Sequence, residues 1–308
     1  MVVSDSENHR PGIANGGPHL NFNPFSSRCC QHNHTQGWPY FSENLWMASP
    51  DNGLAAVIYS ASTVNAKVGD NTNISIKNKT NYPFDDNLNF RLKMDKSDIF
   101  PIYFRIPSWS DESQLKINGK KINITPKAGK YLKVKRKWSD GDLVNLYLPK
   151  KISIDTWEKN HNSVSVNYGP LTFSLKIKEN YIKKSSEETV LHDSKWQKGV
   201  DKSKWPTYEI YPGSDWNYGL ILNKDLNDSF EIIKKEWPED NFPFTNESTP
   251  IYIKAHAKKI QNWKIDKHNL VGELMNSPVE SMEKTEIIEL VPMGGSRLRI
   301  SSFPVIKN

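Results

Sequence analysis

The chain has 308 residues, a formal net charge of +6 and an apolar fraction of 36%, which is long enough for two domains with their own cores. Its surplus lysine is spread along the sequence rather than gathered into a basic block with interleaved aromatics, and that argues against nucleic acid as a partner. No stretch of about 18 apolar residues is present to form a membrane-spanning helix, so no membrane partner is expected.

Residues 1 to about 27 are polar and rich in Gly, Pro and Asn, and read as an irregular arm. The start, Met1-Val2-Val3-Ser4-Asp5-Ser6-Glu7, has neither a basic nor an apolar leader region. A helix is expected over Pro39 to Ala48. Pro39 suits a first turn, and Trp38, Phe41, Leu45 and Ala48 fall at helical spacing. The aromatic run Trp38-Pro39-Tyr40-Phe41 is expected to be core. Pro50-Asp51-Asn52-Gly53 ends the helix as a turn.

From Leu54 the apolar period becomes two. Strands are expected at Leu54 to Ser60, Asn73 to Lys77, Asn87 to Met94 and Tyr103 to Pro107. Leu115 to Ile122 reads as a hairpin, because Asn118-Gly119 favours a two-residue type I′ turn. Tyr131 to Val134, Leu143 to Leu148, Ser163 to Tyr168 and Leu171 to Ile177 complete a first β-sandwich. Residues 179 to 204 are charged and lack a period, and read as a linker or peripheral segment. A second β-region follows at Tyr208 to Tyr211, Tyr218 to Leu222, Phe230 to Lys234, Ile251 to Ala257, Thr285 to Pro292 and Arg297 to Phe303. The expected organisation is an arm and helix at 1–50, a first sandwich at 51–178, a linker or peripheral segment at 179–204 and a second sandwich at 205–308.

The chemistry is concentrated near the start. Cys29 and Cys30 are the two cysteines of the chain, and they sit beside His32 and His34. Two cysteines do not build a disulfide framework. A bond between sequence neighbours would be strained, since their Cα atoms lie about 3.8 Å apart. Reduced thiols, and with them a cytoplasmic setting, are the expectation. Trp205, Tyr208, Tyr211, Trp216 and Tyr218 form an aromatic cluster that could stack on sugar rings or pack internally.

Five strings occur in order: Arg28-Cys29-Cys30-Gln31-His32-Asn33, Phe104-Arg105-Ile106-Pro107-Ser108-Trp109, Ile117-Asn118-Gly119, Trp138-Ser139-Asp140-Gly141-Asp142, and Asn167-Tyr168-Gly169-Pro170-Leu171. In this succession they resemble glycoside hydrolase family 127, the β-L-arabinofuranosidase-like proteins. The tail from Leu290 to Phe303 resembles the last sandwich of that family. The resemblance implies an (α/α)6 catalytic barrel followed by two β-sandwiches, with this chain as the C-terminal part. The fold expected here is therefore mainly β: two sandwiches preceded by an irregular arm and one helix like the last segment of such a barrel.

The resemblance also implies a zinc ion held by three cysteines and a glutamate, a cysteine nucleophile and an upstream glutamate as acid/base. Carried over, Cys29 is the nucleophile and a zinc ligand, and Cys30 is a second ligand. His32, His34 and Asn33 are possible substrate or ligand contacts. A zinc-bound thiol stays deprotonated and can attack an anomeric carbon. The third cysteine has no counterpart. Asp5 and Glu7, the acidic residues before the pair, lie in no recognisable motif. The expected partners are arabinose-containing glycans and a separate catalytic-barrel chain. The alternative is a non-catalytic carbohydrate-binding or scaffold module that complements such a barrel. A thiol or metal protein using Cys29, Cys30, His32 and His34 ranks last, because adjacent ligands suit tetrahedral geometry poorly.

Overall fold

A computed structural model describes residues 35–184, 199, 201–204, 207–265 and 271–307. The chain divides into two compact units, one of residues 34–151 with 168–170, the other of 152–167 and 171 onward.

The first unit opens with helix α1 (Gly37–Glu43). Its strands are β1 (Trp46–Ser49), β2 (Gly53–Ala56), β3 (Ser62–Val68), β4 (Thr72–Lys79) and β5 (Asn87–Met94). They continue with β6 (Asp98–Arg105), β7 (Gln114–Ile117), β8 (Lys120–Lys121), β9 (Tyr131–Trp138) and β10 (Leu143–Tyr147). The helix is shorter than its sequence pattern suggests. Asn44 closes it, with its backbone N–H and its Nδ2 both donating to the Tyr40 carbonyl. The Leu45 carbonyl then accepts from the N–H groups of Val57 and Ile58, so the chain is drawn into a sheet and Trp46 begins a strand. The helix buries none of its residues. Trp38 and Tyr40, expected in the core, are 61% and 67% exposed.

A four-stranded sheet runs β1-β2-β6-β9 and a six-stranded sheet runs β3-β4-β5-β10-β7-β8. They share one apolar layer, so the unit is a β-sandwich. Phe90 from the wide sheet lies 5.3 Å from Phe104 of the narrow one, and Trp46 meets Phe90 edge-on at 5.8 Å. Trp138 is fully buried and donates its Nε1–H to the Phe100 carbonyl at 3.0 Å, so its one polar atom carries no burial penalty. Each such aromatic contributes about 1.5–3 kcal/mol by leaving water. At β2, a Cβ on Gly53 would stand 2.1 Å from the Pro101 carbonyl oxygen, so this parallel strand approaches β6 only because the position has no side chain.

Strict alternation on β4, β5, β7 and β10 sends one face of the wide sheet inward and the other outward. Outward residues include Lys77, Lys79, Arg91, Lys93 and Lys116. The register sets Lys77 opposite Arg91 and Lys116 opposite Lys121.

The second unit holds β11 (Ile152–Trp157), β12 (Ser163–Tyr168), β13 (Leu171–Leu175), β14 (Glu179–Lys184) and β15 (Thr207–Pro212). It ends with β16 (Tyr218–Leu220), β17 (Phe230–Lys234), β18 (Ile251–Lys259) and β19 (Glu286–Pro292). A seven-stranded sheet runs β11-β12-β13-β19-β18-β16, with β17 also on β18, and β14 pairs β15 separately. The strands at 152–175, grouped by sequence with the first sandwich, thus pair into the second unit's sheet through β13 and β19. Residues 179–184, read as linker, form β14 against β15. The strand expected at Arg297 to Phe303 is replaced by one bridge, between Val164 and Phe303. Phe173, Leu220, Ile253, Leu290 and Phe303 form the buried interior here.

Opposed like charges on adjacent strands repel. Lys77→Glu places a carboxylate opposite Arg91 and should therefore stabilise the first unit by about 0.2–1 kcal/mol. A denaturant-unfolding curve of the variant at low salt checks this, and a fall in midpoint would contradict the register.

Candidate functional site

Cys29, Cys30, His32, Asn33 and His34 lie outside the described residues, as do the irregular arm and Trp205. The other strings that carried the resemblance fall in the described part, and their side chains hold turns together.

Arg105 donates its Nε–H to the Val57 carbonyl at 2.5 Å, and its guanidinium lies 5.8 Å from the centre of the Tyr59 ring. Tyr59 donates its hydroxyl to the Arg105 carbonyl at 2.7 Å, and Tyr82 meets its ring edge-on at 6.0 Å. Burial drives the Tyr59 hydroxyl well above the usual tyrosine range. Pro107 accepts from Ser110 N–H in the turn that follows, and Trp109 packs on the sandwich core.

The hairpin and the Trp138–Asp142 turn are clamped to each other. Asn118 and Gly119 have φ of 49° and 79°, the left-handed pair of a type I′ turn. Asn118 donates Nδ2–H to Asp142 Oδ1 at 2.7 Å and accepts the Leu143 N–H at 2.8 Å. Asp142 Oδ2 accepts the Ser139 N–H at 3.1 Å, and Asp140 Oδ1 accepts the Met94 N–H at 2.9 Å. In the Tyr168-Gly169-Pro170 stretch, Gly169 has φ of 58°. There the buried Lys150 ammonium pairs with Asp86 and lies 5.8 Å from the centre of the Tyr168 ring. These residues place strands; none of them converges on a cleft with paired acids.

Two clefts of the second unit are polar enough to hold a ligand. The first, of 490 Å³, is lined by His161, Glu273, Arg299 and Ser302 among others. His161 Nε2 stands 3.3 Å from Glu273 Oε1, and its Nδ1 3.1 Å from Asn276 Oδ1. The second, of 750 Å³, is lined by Asp215, Trp216, Asn217 and Trp263. Trp216 meets the buried Trp263 edge-on at 5.2 Å, Tyr208 meets Tyr181 edge-on at 6.0 Å, and Tyr218 is buried. Edge-on pairs leave no shared flat platform; Tyr218 and Trp263 pack internally, while Trp216 lines the second cleft. Among the described residues no three His, Cys, Asp or Glu side chains gather as a metal site. No described helix is long and apolar enough to cross a membrane.

Residues 53–150 match the model of the beta-L-arabinofuranosidase GH127 middle domain. The matched segment runs from β2 to β10 of the first unit. Solved structures extend the likeness of fold beyond it. A GH127 beta-L-arabinofuranosidase from Geobacillus stearothermophilus T6 superposes with a TM-score of 0.60 at 19% identity, over 91% of this chain and 38% of that one. A chain described as a glycoside hydrolase gives 0.61 at 20% identity, over 92% and 40%. A GH127 beta-arabinofuranosidase, BT3674, gives 0.52 at 17% identity, over 83% and 35%. The chain therefore spans well under half the length of each. A comparison with the curated proteins finds no match.

Two outcomes follow. Asp142→Ala leaves the Asn118 amide and the Ser139 N–H without their acceptor and should cost about 1–3 kcal/mol, read as a lower unfolding midpoint. Alkaline pH should also weaken the second unit. Burial, and next the hydrogen bond to Glu286, push Tyr218 up to about 12 from its ordinary 10. The unfolded chain releases that proton near pH 10 and the fold near 12. The unfolded state thus binds fewer protons across this window, and stability falls as pH rises through it. Tyr218→Phe should make the fall between pH 10 and 12 shallower in pH-dependent melting; an unchanged slope would assign it to other groups.

Proposed function

We propose that this chain is part of a glycoside hydrolase of the β-L-arabinofuranosidase type, acting on arabinose-containing glycans with retention. The match of residues 53–150 to the GH127 middle domain carries the reading. The likeness of fold over nine-tenths of the chain to the Geobacillus structure is consistent with it.

In this reading the Cys29 thiolate attacks the anomeric carbon as the glycosidic C–O bond breaks, and an acid gives the departing alcohol its proton. Water then adds to the same carbon, the C–S bond breaks, and the deprotonated acid takes up the water's proton. Two displacements restore the original configuration. The acid/base residue has no match in the sequence. Thiolates suit zinc, and bound zinc would keep the thiol ionised. Cys29 and Cys30 offer two donors where four are needed, and the described residues add no cluster. The donor count does not complete a zinc site, and the steps above use none.

A second reading is a scaffold module that completes a separately supplied barrel. The aromatic surface of α1, with Trp38 and Tyr40 open to solvent, favours it. The 308-residue chain alone should not release L-arabinose from a synthetic β-L-arabinofuranoside; joined in one polypeptide to a catalytic barrel it should, and Cys29→Ala there should lower kcat on the order of 10⁴-fold or more. Turnover that survives Cys29→Ala would refute the nucleophile. Activity that appears only when a barrel chain is added, with a joint peak in sizing chromatography, would select the scaffold reading.

A further inference from the structure

The outer face of the six-stranded sheet is a cationic surface without an assigned role. Along β4 it presents Lys77 and Lys79, along β5 Arg91 and Lys93, and along β7 Lys116. None of these five forms an ion pair among the described residues. Asp95 lies at one end of β5, where Asn73 Nδ2 donates to it at 2.7 Å, and Asp142, beside the Leu143 that pairs with Arg91, is buried and bonded to Asn118 and Ser139.

The register makes this arrangement costly for the fold. Lys77 faces Arg91 and Lys116 faces Lys121, and like charges directly opposite each other destabilise a sheet. An anion laid across these strands would remove the repulsion. A groove of 410 Å³ already lies there; its floor is mostly apolar, with Leu143 and the lysine stems, and Lys77, Arg91, Lys116, Asn89 and Asn145 stand around it.

The polar groups between the cations suit hydroxyls. Asn145 donates its Nδ2–H to Asn89 Oδ1 at 2.9 Å and to Asn87 Oδ1 at 3.3 Å. Both residues line the groove, and Asn89 Nδ2 and Asn145 Oδ1 take part in neither of these bonds, which leaves a donor and an acceptor for a ligand. Side chains of one face recur about 6.6–7 Å apart along a strand, on strands about 4.8 Å apart, which offers charge at regular intervals in two directions. The groove lining includes no aromatic ring beyond the buried Phe90, so nucleic-acid bases have no ring to stack on.

We propose that this face binds an acidic polysaccharide, a chain of uronic acid sugars, with Lys77, Lys79, Arg91 and Lys116 on its carboxylates and Asn89 and Asn145 on its hydroxyls. The proposal concerns the first unit alone and stands apart from the reaction proposed above.

Affinity electrophoresis of the 308-residue chain in gels containing polygalacturonate tests it. The wild type should be retarded, with retardation that weakens as salt rises. Lys77→Glu/Arg91→Glu should raise the apparent Kd about tenfold or more. This pair of glutamates again opposes like charges, so its unfolding midpoint should stay close to wild type. Lys77→Glu alone should bind more weakly while unfolding at a higher midpoint, which separates lost binding from lost fold. Lys127→Glu/Lys130→Glu carries the same change of charge off this face and should bind as wild type does. Equal loss in that control would overturn the proposal in favour of general charge attraction. Equal retardation by neutral arabinan, or stronger retardation by duplex DNA, would overturn it in favour of another ligand.

Discussion

The first unit depends on one shared apolar layer between two sheets of unequal width. Phe90 and Phe104 meet across it, and Trp138 fills its far end with its indole N–H satisfied. Every strand that reaches this layer must commit alternate residues to it. Once Ile76, Leu92 and Val144 point inward, Lys77, Arg91 and Leu143 point outward, because the side-chain period of a strand is two. The chemistry of the outer surface is thus a by-product of core packing, and no loop is needed to assemble it.

Much of the strand pattern is legible in the sequence where β-branched and aromatic residues cluster between turn signals. Asn87–Met94, Ser163–Tyr168 and Phe230–Lys234 appear as expected. The strands the sequence hides lack a buried stripe. Ser62–Val68 buries only Val68, and Ile152–Trp157 is an edge strand with none of its residues fully buried. The helix–strand ambiguity at Leu45 and Trp46 has a similar origin. A short apolar run fits either period, and the hydrogen bonds from Val57 and Ile58 that decide it come from residues a dozen positions away. Pairing between Phe173 and Pro292 is remoter still, and no local pattern announces it.

The functional reading divides in the same way. The strings that reveal kinship are visible because turns need particular residues. Asn-Gly supplies two left-handed positions, and Asp142 supplies a carboxylate to a hairpin and a turn at once. Their role in the fold is positional, and they say little about which bond is broken. The residues with reactive chemistry, Cys29 and Cys30, precede the described segment. The cationic face was present in the sequence as Lys-x-Lys and Arg-x-Lys spacing, yet lysines on alternate positions read as ordinary solvated surface until the register sets them side by side across strands.

One strand of the second unit carries an arrangement with its own outcome. β18 pairs β17 over Ile251–Ala255 and β16 over 257–259, with His256 between the two blocks. Its inward residues Ile251, Ile253, Ala255 and Ala257 keep a single phase through both. A one-residue insertion beside His256 would leave the β17 half in phase and turn the β16 half over, moving Ala257 outward and a lysine inward. A two-residue insertion would preserve the phase of both halves. Tolerance to length change along this strand should therefore alternate between odd and even, although its amino-acid types tolerate ordinary substitution on the exposed side.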